Sequence, residues 1–404
     1  MIEKEIKQYL DNFFTKDELC VMKKNYYNNY AFDDTSFFDP EYTKLVNFYK
    51  KIVGLKESSN YRIEVDKSGS VLIEKLFKTY VSDSTFVITT VEENSNIGKV
   101  TEKCRPEAIH KICVGKEEHL QEDATINSIL DKYKNSGCNE IFVFLPGVAP
   151  GFSYILSQSF LNKLKYTLLV NNIPHVFVLD DCQGILYTDH SYEIFDAILV
   201  TAHVLWLGFD MGILFTKLKE KLGYFNKTGL KNFYEKLQIL DKHKNKAVEF
   251  NVLMNKYFNP LYDANFKKLE LTAPQYFVIQ MTDMKIPRPF IDELYENYFI
   301  RFNETTTATS WFRIRFHEAL ILSSDVFLQG LDRSKRILKL VKRYNDLSRD
   351  IPIIGVTEAT KSFNYDKAFD ILNGFYNYKN EQIIGYTKEN LTHIMQDYLS
   401  YRNR

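Results

Sequence analysis

HVFVLDDCQG, residues 175–184, decides how the rest of the chain is read. An unbroken apolar run, rich in valine and phenylalanine, stops at two adjacent carboxylates, Asp180 and Asp181. Apolarity without alternation marks a strand buried on both faces, as in a parallel sheet. A carboxylate at the end of such a strand is costly unless it is met, either by a ligand or by a loop amide.

The same pattern extends outward. YRIEV (61–65), TFVITTV (85–91), EIFVFLPGV (140–148), DAILVT (196–201) and MGILFT (211–216) read as further short strands. VLIEKLFKTYV (71–81), ATINSILDKY (124–133) and LNKLKYTLLVNN (161–172) carry the helical period between them. Strands alternating with helices imply crossover units, hence an α/β fold with a mostly parallel sheet sandwiched by helices. Beyond it, KLELTAPQYFVIQM (268–281) and WFRIRFHEALI (311–321) mix strand-like and helical pieces, which suggests a smaller α+β domain. The expected division is a helical N-terminal segment over 1–54, a large α/β domain over 55–250, and a small domain with an extension over 251–404. DPEYTKLVNFYKKIVGL (39–55) opens with an Asp-Pro helix start, and Ser-Ser-Asp at 323–325 is a cap signal. The lysine-rich run 229–258 has Glu and Asp interspersed and reads as a solvated helical face.

With 404 residues, 45% of them hydrophobic, the chain can bury a large core. Lys+Arg and Asp+Glu number 52 each, so no net field draws in nucleic acid or anionic lipid. A small molecule or another protein is the expected partner. Five cysteines (Cys20, Cys104, Cys113, Cys138, Cys182) lie at irregular spacings with no CxxC pair, so neither a disulfide framework nor a metal site is expected. A cytoplasmic location fits that usage. MIEKEIKQYLDNFF (1–14) lacks the apolar core of a secretory signal. Residues 197–215 are long enough for a thin membrane crossing, but His203, Gly208, Asp210 and Gly212 interrupt them, and a membrane span is not expected.

Ligands of open parallel sheets bind beyond the carboxyl ends of the strands, so the residues after each strand are the candidates. Ser68, Gly69 and Ser70 fall between a strand and a helix; they are either an ordinary cap or a phosphate-binding helix start. Asp180 and Gln183 follow the strand of residues 175–180, and Thr201 and His203 end the next one. Arg313 and Arg315 alternate on a strand-like segment, where one side chain or both could face a carboxylate.

In this order these four stretches resemble the fold-type I pyridoxal-phosphate enzymes, above all the class V aminotransferase and cysteine desulfurase branch, over about residues 55–345. The resemblance implies that Asp180 holds the pyridine nitrogen and Gln183 the ring hydroxyl. It makes Ser68, Gly69, Ser70 and Thr201 phosphate contacts and Arg313 the substrate-carboxylate arginine, with Gly208 and Gly212 in the turn that follows. The family's Ser/Thr-x-His-Lys appears as TAHV (201–204), so the Schiff-base lysine position falls on Val204. The ring-stacking histidine falls on Glu93 or Asn94 in VEENSNIG (91–98). An asparagine contact falls on Val148 in PGVAPG (146–151), with Gly151 at the terminal glycine. NETTTATSW (303–311) offers no nucleophilic cysteine, which argues against a cysteine desulfurase.

A missing lysine removes the covalent anchor and the usual general base, and losing a base alone costs about 10²- to 10⁴-fold. His203 is the weak catalytic candidate, against the plainer reading of a hydrogen-bonded core histidine, because neighbours on a strand point opposite ways. Arg315 would share a face with Arg313 and suit a doubly acidic substrate, or else pair with a local carboxylate. The expectation is therefore a degenerate, pseudoenzyme-like protein with a pocket for an anionic or amino-acid-like ligand, acting as a binder or partner subunit. The alternative is an enzyme using non-covalent pyridoxal or pyridoxamine phosphate; an accidental likeness of a generic α/β protein stands third. Homodimer formation is implied by the resemblance.

Overall fold

The computed structural model of the chain describes residues 1–23, 40–52, 55, 59–90, 95–112, 121–148, 155–188, 191–202, 211–224, 226–263, 266–269, 273–282, 294, 298, 300–304 and 309–348. Two compact units emerge. One comprises residues 14–248 together with Leu271–Gln275; the other comprises Met1–Phe13, Glu249–Glu270 and the described chain from Tyr276 onward.

The first unit holds a seven-stranded sheet made of β1 (Arg62–Asp66), β2 (Thr85–Thr90), β3 (Ile109–Ile112), β4 (Glu140–Pro146), β5 (His175–Asp180), β6 (Ala197–Thr201) and β7 (Gly212–Thr216). Their order is β1-β7-β6-β5-β4-β2-β3. β7 alone runs against the rest, pairing antiparallel with both β1 and β6. The β2-β3, β2-β4, β4-β5 and β5-β6 ladders are parallel, as the apolar runs require. Val143, Phe144, Val178, Leu179, Ile198 and Leu199 are all inaccessible, because one apolar cluster covers each face of the sheet. Leu161, Leu164 and Leu168 of the helix Gln158–Val170 close one face; Leu72, Ile73 and Leu76 of the helix Gly69–Tyr80 close the other. Fully burying such a side chain contributes about 1.5–3 kcal/mol, so these central strands are a rigid base for whatever their ends carry.

Side-chain caps fix where the crossover helices begin. Ser157 accepts from Phe160 N–H (3.0 Å) and Asn226 from Gly229 N–H (2.8 Å). The helix Lys227–His243 buries Leu230, Phe233, Leu237 and Leu240 and turns Lys231 and Lys242 outward, while Lys236 points in. Lys236 is wholly buried, its ammonium donating to the Met22 carbonyl (3.1 Å), and desolvation pushes it down to about 8.

The second unit carries an antiparallel sheet, β8 (Phe266–Lys268), β9 (Tyr276–Thr282), β10 (Arg301–Glu304) and β11 (Thr309–Arg315), ordered β10-β11-β9-β8. The helix Ser324–Ser348 is capped by Ser323, whose hydroxyl accepts from Val326 N–H (3.3 Å). The N-terminal helix Ile2–Asp11 is tied to it through Ser324 Oγ and Asp11 Oδ1 (2.6 Å). Among the described residues no helix is long and apolar enough to cross a membrane, and no cluster of His, Cys, Asp and Glu could hold a metal.

Candidate functional site

Three parallel strands of the large sheet end in buried polar side chains at the same edge. β2 ends in Thr89 and Thr90, β5 in Asp180, and β6 in Thr201. Among the described residues the buried hydroxyls of Thr89 and Thr90 meet no hydrogen-bond partner, and that of Thr201 has only the weak thiol of Cys182 beside it. An unmet buried hydroxyl costs about 1–3 kcal/mol, so such groups gathered at a carboxyl edge mark a place built for something polar.

Gly69 sits against Thr201, and Ser68 against Gly212. A Cβ built on Gly69 would overlap the Thr201 methyl, and one on Gly212 would meet the Ser68 carbonyl at 2.5 Å. Only glycine lets the helix start approach the two strand ends so closely. Ser68 caps the helix Gly69–Tyr80 by accepting from Val71 N–H (3.3 Å), and Leu72 N–H returns to the Ser68 carbonyl (3.4 Å). The first N–H groups and the positive helix end are therefore directed at the carboxyl edge, a geometry that favours an anion. Ser70 occupies the first turn, half-buried.

The two neighbouring carboxyls differ in surroundings. Asp181 is wholly buried, accepting from the Tyr192 hydroxyl and, at 3.5 Å, from the Thr188 hydroxyl. Desolvation, reinforced by the charge of Asp180, pushes it up to about 8. Asp180 retains 8% exposure at the strand end, and its Oδ1 accepts from Cys182 N–H (3.1 Å). Burial raises its pKa as well, against the opposing pull of Cys182. Among the described residues no lysine or arginine pairs with either carboxyl. Asp181 is thus engaged in holding the loop, while Asp180 is the one presented at the edge. Gln183 is half-buried, and its carbonyl accepts from Gln275 Nε2. Val148 is buried and bridges Ile155.

A carboxyl whose folded pKa is raised binds its proton more tightly in the folded chain, so the contribution of Asp181 to stability is greatest below pH 4 and declines until about pH 8. Asp181→Asn keeps an acceptor for Tyr192 and removes the titration. Chemical denaturation between pH 5 and 8 should show the unsubstituted chain losing stability relative to the variant, by up to about 1.4 kcal/mol per pH unit. Parallel curves for the two proteins would refute this assignment.

His203, Val204, Gly208, Glu93, Asn94 and Gly151 lie outside the described residues. Arg313 and Arg315 belong to the other unit. Both lie on one face of β11, over the ring of Tyr276 at 5.3 and 5.8 Å. Arg315 pairs with Glu318 (Nη1–Oε1 3.2 Å), and Arg301 approaches the same oxygen at 3.6 Å. Arg315 therefore has the local carboxylate partner that was the plainer of its two readings. Arg313 is 2% exposed; burial first, then the neighbouring Arg315, push it down to about 9, which leaves it cationic at neutral pH.

The arrangement, a mostly parallel seven-stranded sheet with one reversed strand and flanking helices, is similar in fold to several solved structures. Oryza sativa TDC, solved with PLP and tryptamine, matches at 11% identity and TM-score 0.55, over 74% of this chain and 75% of that one. The NifS-like protein from Rickettsia africae matches at 12% and 0.54, over 81% and 95%. The glutamate decarboxylase of Lactobacillus brevis matches at 11% and 0.55, over 80% and 86%. At such identities the likeness is one of fold. No protein-family description and no curated protein sequence matches the chain.

The residues at this edge would fit a phosphorylated pyridine such as the PLP of the Oryza sativa TDC structure. A helix start cleared by Gly69 and Gly212, beside the buried side chain of Thr201, suits a phosphate. A buried Asp180 that has no cationic partner among the described residues suits a protonated ring nitrogen. The Thr89 and Thr90 hydroxyls escaped the sequence reading because β-branched ITT reads first as strand.

Proposed function

We propose that this chain binds pyridoxal or pyridoxamine phosphate non-covalently in a degenerate pocket of the class V aminotransferase kind, and works as a ligand-holding or partner subunit. The observation that carries the proposal is the juxtaposition of the Gly69 helix start with the buried Thr201 side chain at the strand ends. In this reading the helix start and Thr201 bind the phosphate, Asp180 holds a proton on the ring nitrogen, and Gln183 orients the ring hydroxyl. The bound group supplies an electron sink for amino-acid chemistry. Val204, at the position of the anchoring lysine, can neither bond to it nor move a proton, so ordinary transamination is not expected. Arg313 enters through the resemblance alone, as the group that would hold an amino-acid-like carboxylate. A homodimer in the cytoplasm, without nucleic acid or membrane partners, completes the proposal.

The test is thermal unfolding with added pyridoxamine phosphate. At 100-fold its Kd the ligand should stabilise the chain by about 2.7 kcal/mol, and Asp180→Ala should abolish most of that gain. A melting curve unmoved by the ligand would refute the reading. Arg313→Lys, which keeps the charge but loses the planar fork, should weaken binding of an amino-acid conjugate of the cofactor without weakening the cofactor itself. Equal affinities for the conjugate in both proteins would remove Arg313 from the proposal.

Asp180 favours a second reading, a lysine-independent enzyme, since a proton held on the ring nitrogen serves the electron sink of the bound group more than its retention. Conversion of pyridoxamine phosphate by an added 2-oxo acid, in single turnover, would favour the enzyme; a stable complex favours the binder.

A further inference from the structure

At the other end of the large sheet, where β2 begins at Thr85, lies a cavity of about 540 Å3, within the size range of small-molecule sites. Its walls are the last turn of the helix Gly69–Tyr80 and the helix Ser95–Thr101 with the residues that follow it. The floor is apolar. Phe77 and Ala108 are buried there, and Phe77 is braced edge-on against Phe142 at 5.0 Å. Four cations line the rim: Lys78, Lys99, Lys103 and Arg105.

Arg105 is partly committed, donating from Nη2 to the Asp83 carbonyl (2.9 Å) and lying 3.5 Å from Glu107. The three lysines are exposed, and among the described residues none of them is ion-paired. A plainer role for Lys78 and Lys99 is to offset the helix ends they occupy, each carrying about half a negative charge. With Arg105 set against Glu107, and Glu74, Asp83 and the two helix ends counted, the cavity as a whole is close to neutral, but its charge is uneven: Glu74 lies on the wall of the Gly69–Tyr80 helix, and no acidic residue lines the wall that carries Lys99 and Lys103.

We propose that this cavity binds a small organic monoanion, an apolar body with a single carboxylate-type head, at a site separate from the carboxyl edge of the sheet. The body lies on Phe77 and the head meets Lys99 and Lys103. Nothing in this assignment depends on the cofactor reading.

Fluorine NMR titration of the full chain, without and then with added pyridoxamine phosphate, tests it with para-trifluoromethylbenzoate as probe and the uncharged para-trifluoromethylbenzamide as control. The benzoate should saturate one site, the amide should bind about tenfold more weakly or worse, and Lys99→Glu/Lys103→Glu should weaken the benzoate by a similar factor. Circular dichroism melting checks that the variant is folded; if it is not, Lys78→Glu, on the separate helix, carries the same expectation. No saturable binding, equal binding of acid and amide, or benzoate affinity untouched by charge reversal would overturn the proposal. So would release of the benzoate as pyridoxamine phosphate is raised, which would place the probe at the carboxyl edge.

Discussion

Gly69→Val should cost the chain roughly 100-fold or more in affinity for pyridoxamine phosphate while leaving the far-ultraviolet spectrum of a folded α/β protein. The reason is steric. Even a Cβ at residue 69 runs into the Thr201 methyl, and two further carbons must push the helix start away from the strand end. A displacement on the order of 1 Å is enough to spoil a phosphate site built from backbone N–H groups. Overpacking should also lower stability by about 1–3 kcal/mol. Gly137→Ala is the matching control. Gly137 ends the helix Glu122–Ser136 with φ of 72°, so an added Cβ is strained there by about 1–2 kcal/mol, yet it meets no atom within 4 Å. It should lower stability and leave affinity alone. Isothermal titration of the two variants side by side separates loss of site from loss of fold; unchanged affinity in Gly69→Val would remove the phosphate assignment.

Val204→Lys should create a covalent attachment that the unsubstituted chain lacks. Residue 204 lies outside the described residues, so this expectation rests on the spacing between Asp180 and Thr201-x-His203 in the sequence. An amine restored at that position would be delivered to the aldehyde of pyridoxal phosphate, and local effective concentrations of such groups reach about 10⁵ M or more. The variant should turn yellow with one equivalent of pyridoxal phosphate, and borohydride followed by peptide mass mapping should find the label on the introduced lysine. A label scattered over surface lysines in both proteins would show that the register is wrong.

Much of the sheet was legible because a strand buried on both faces leaves no doubt about its pattern: residues 140–146, 175–180 and 197–201 are continuous apolar runs, and each is a central strand. β3 was not. Its IHKI is a short edge strand that mixes His110 and Lys111 into the run, so neither alternation nor continuous apolarity stands out. The spatial pairing of Ile2–Asp11 with Ser324–Ser348 was equally hidden, since it depends on contacts more than three hundred residues apart in sequence.

At the edge of the sheet, sequence spacing singled out Ser68, Gly69, Asp180 and Thr201, and the fold puts Gly69 directly against Thr201. What spacing could not do was tell Asp180 from Asp181 by surroundings. That distinction comes from Tyr192 and Thr188, which reach Asp181 only because the loop after β5 folds back on it. Arg315 is similar: its partner Glu318 is three residues away and visible in the sequence, but only the geometry shows that the pair forms.

The most direct test of the central claim is the ratio of two dissociation constants, for pyridoxal phosphate and pyridoxamine phosphate, measured by titration calorimetry on the same preparation. A pocket that holds the cofactor without a lysine bond has no use for the aldehyde, so both ligands should bind one site with Kd values within about threefold, a difference of ~0.6 kcal/mol. An aldehyde that binds about 100-fold more tightly than the amine and is fixed to one lysine by borohydride would contradict the account, and so would a chain that binds neither.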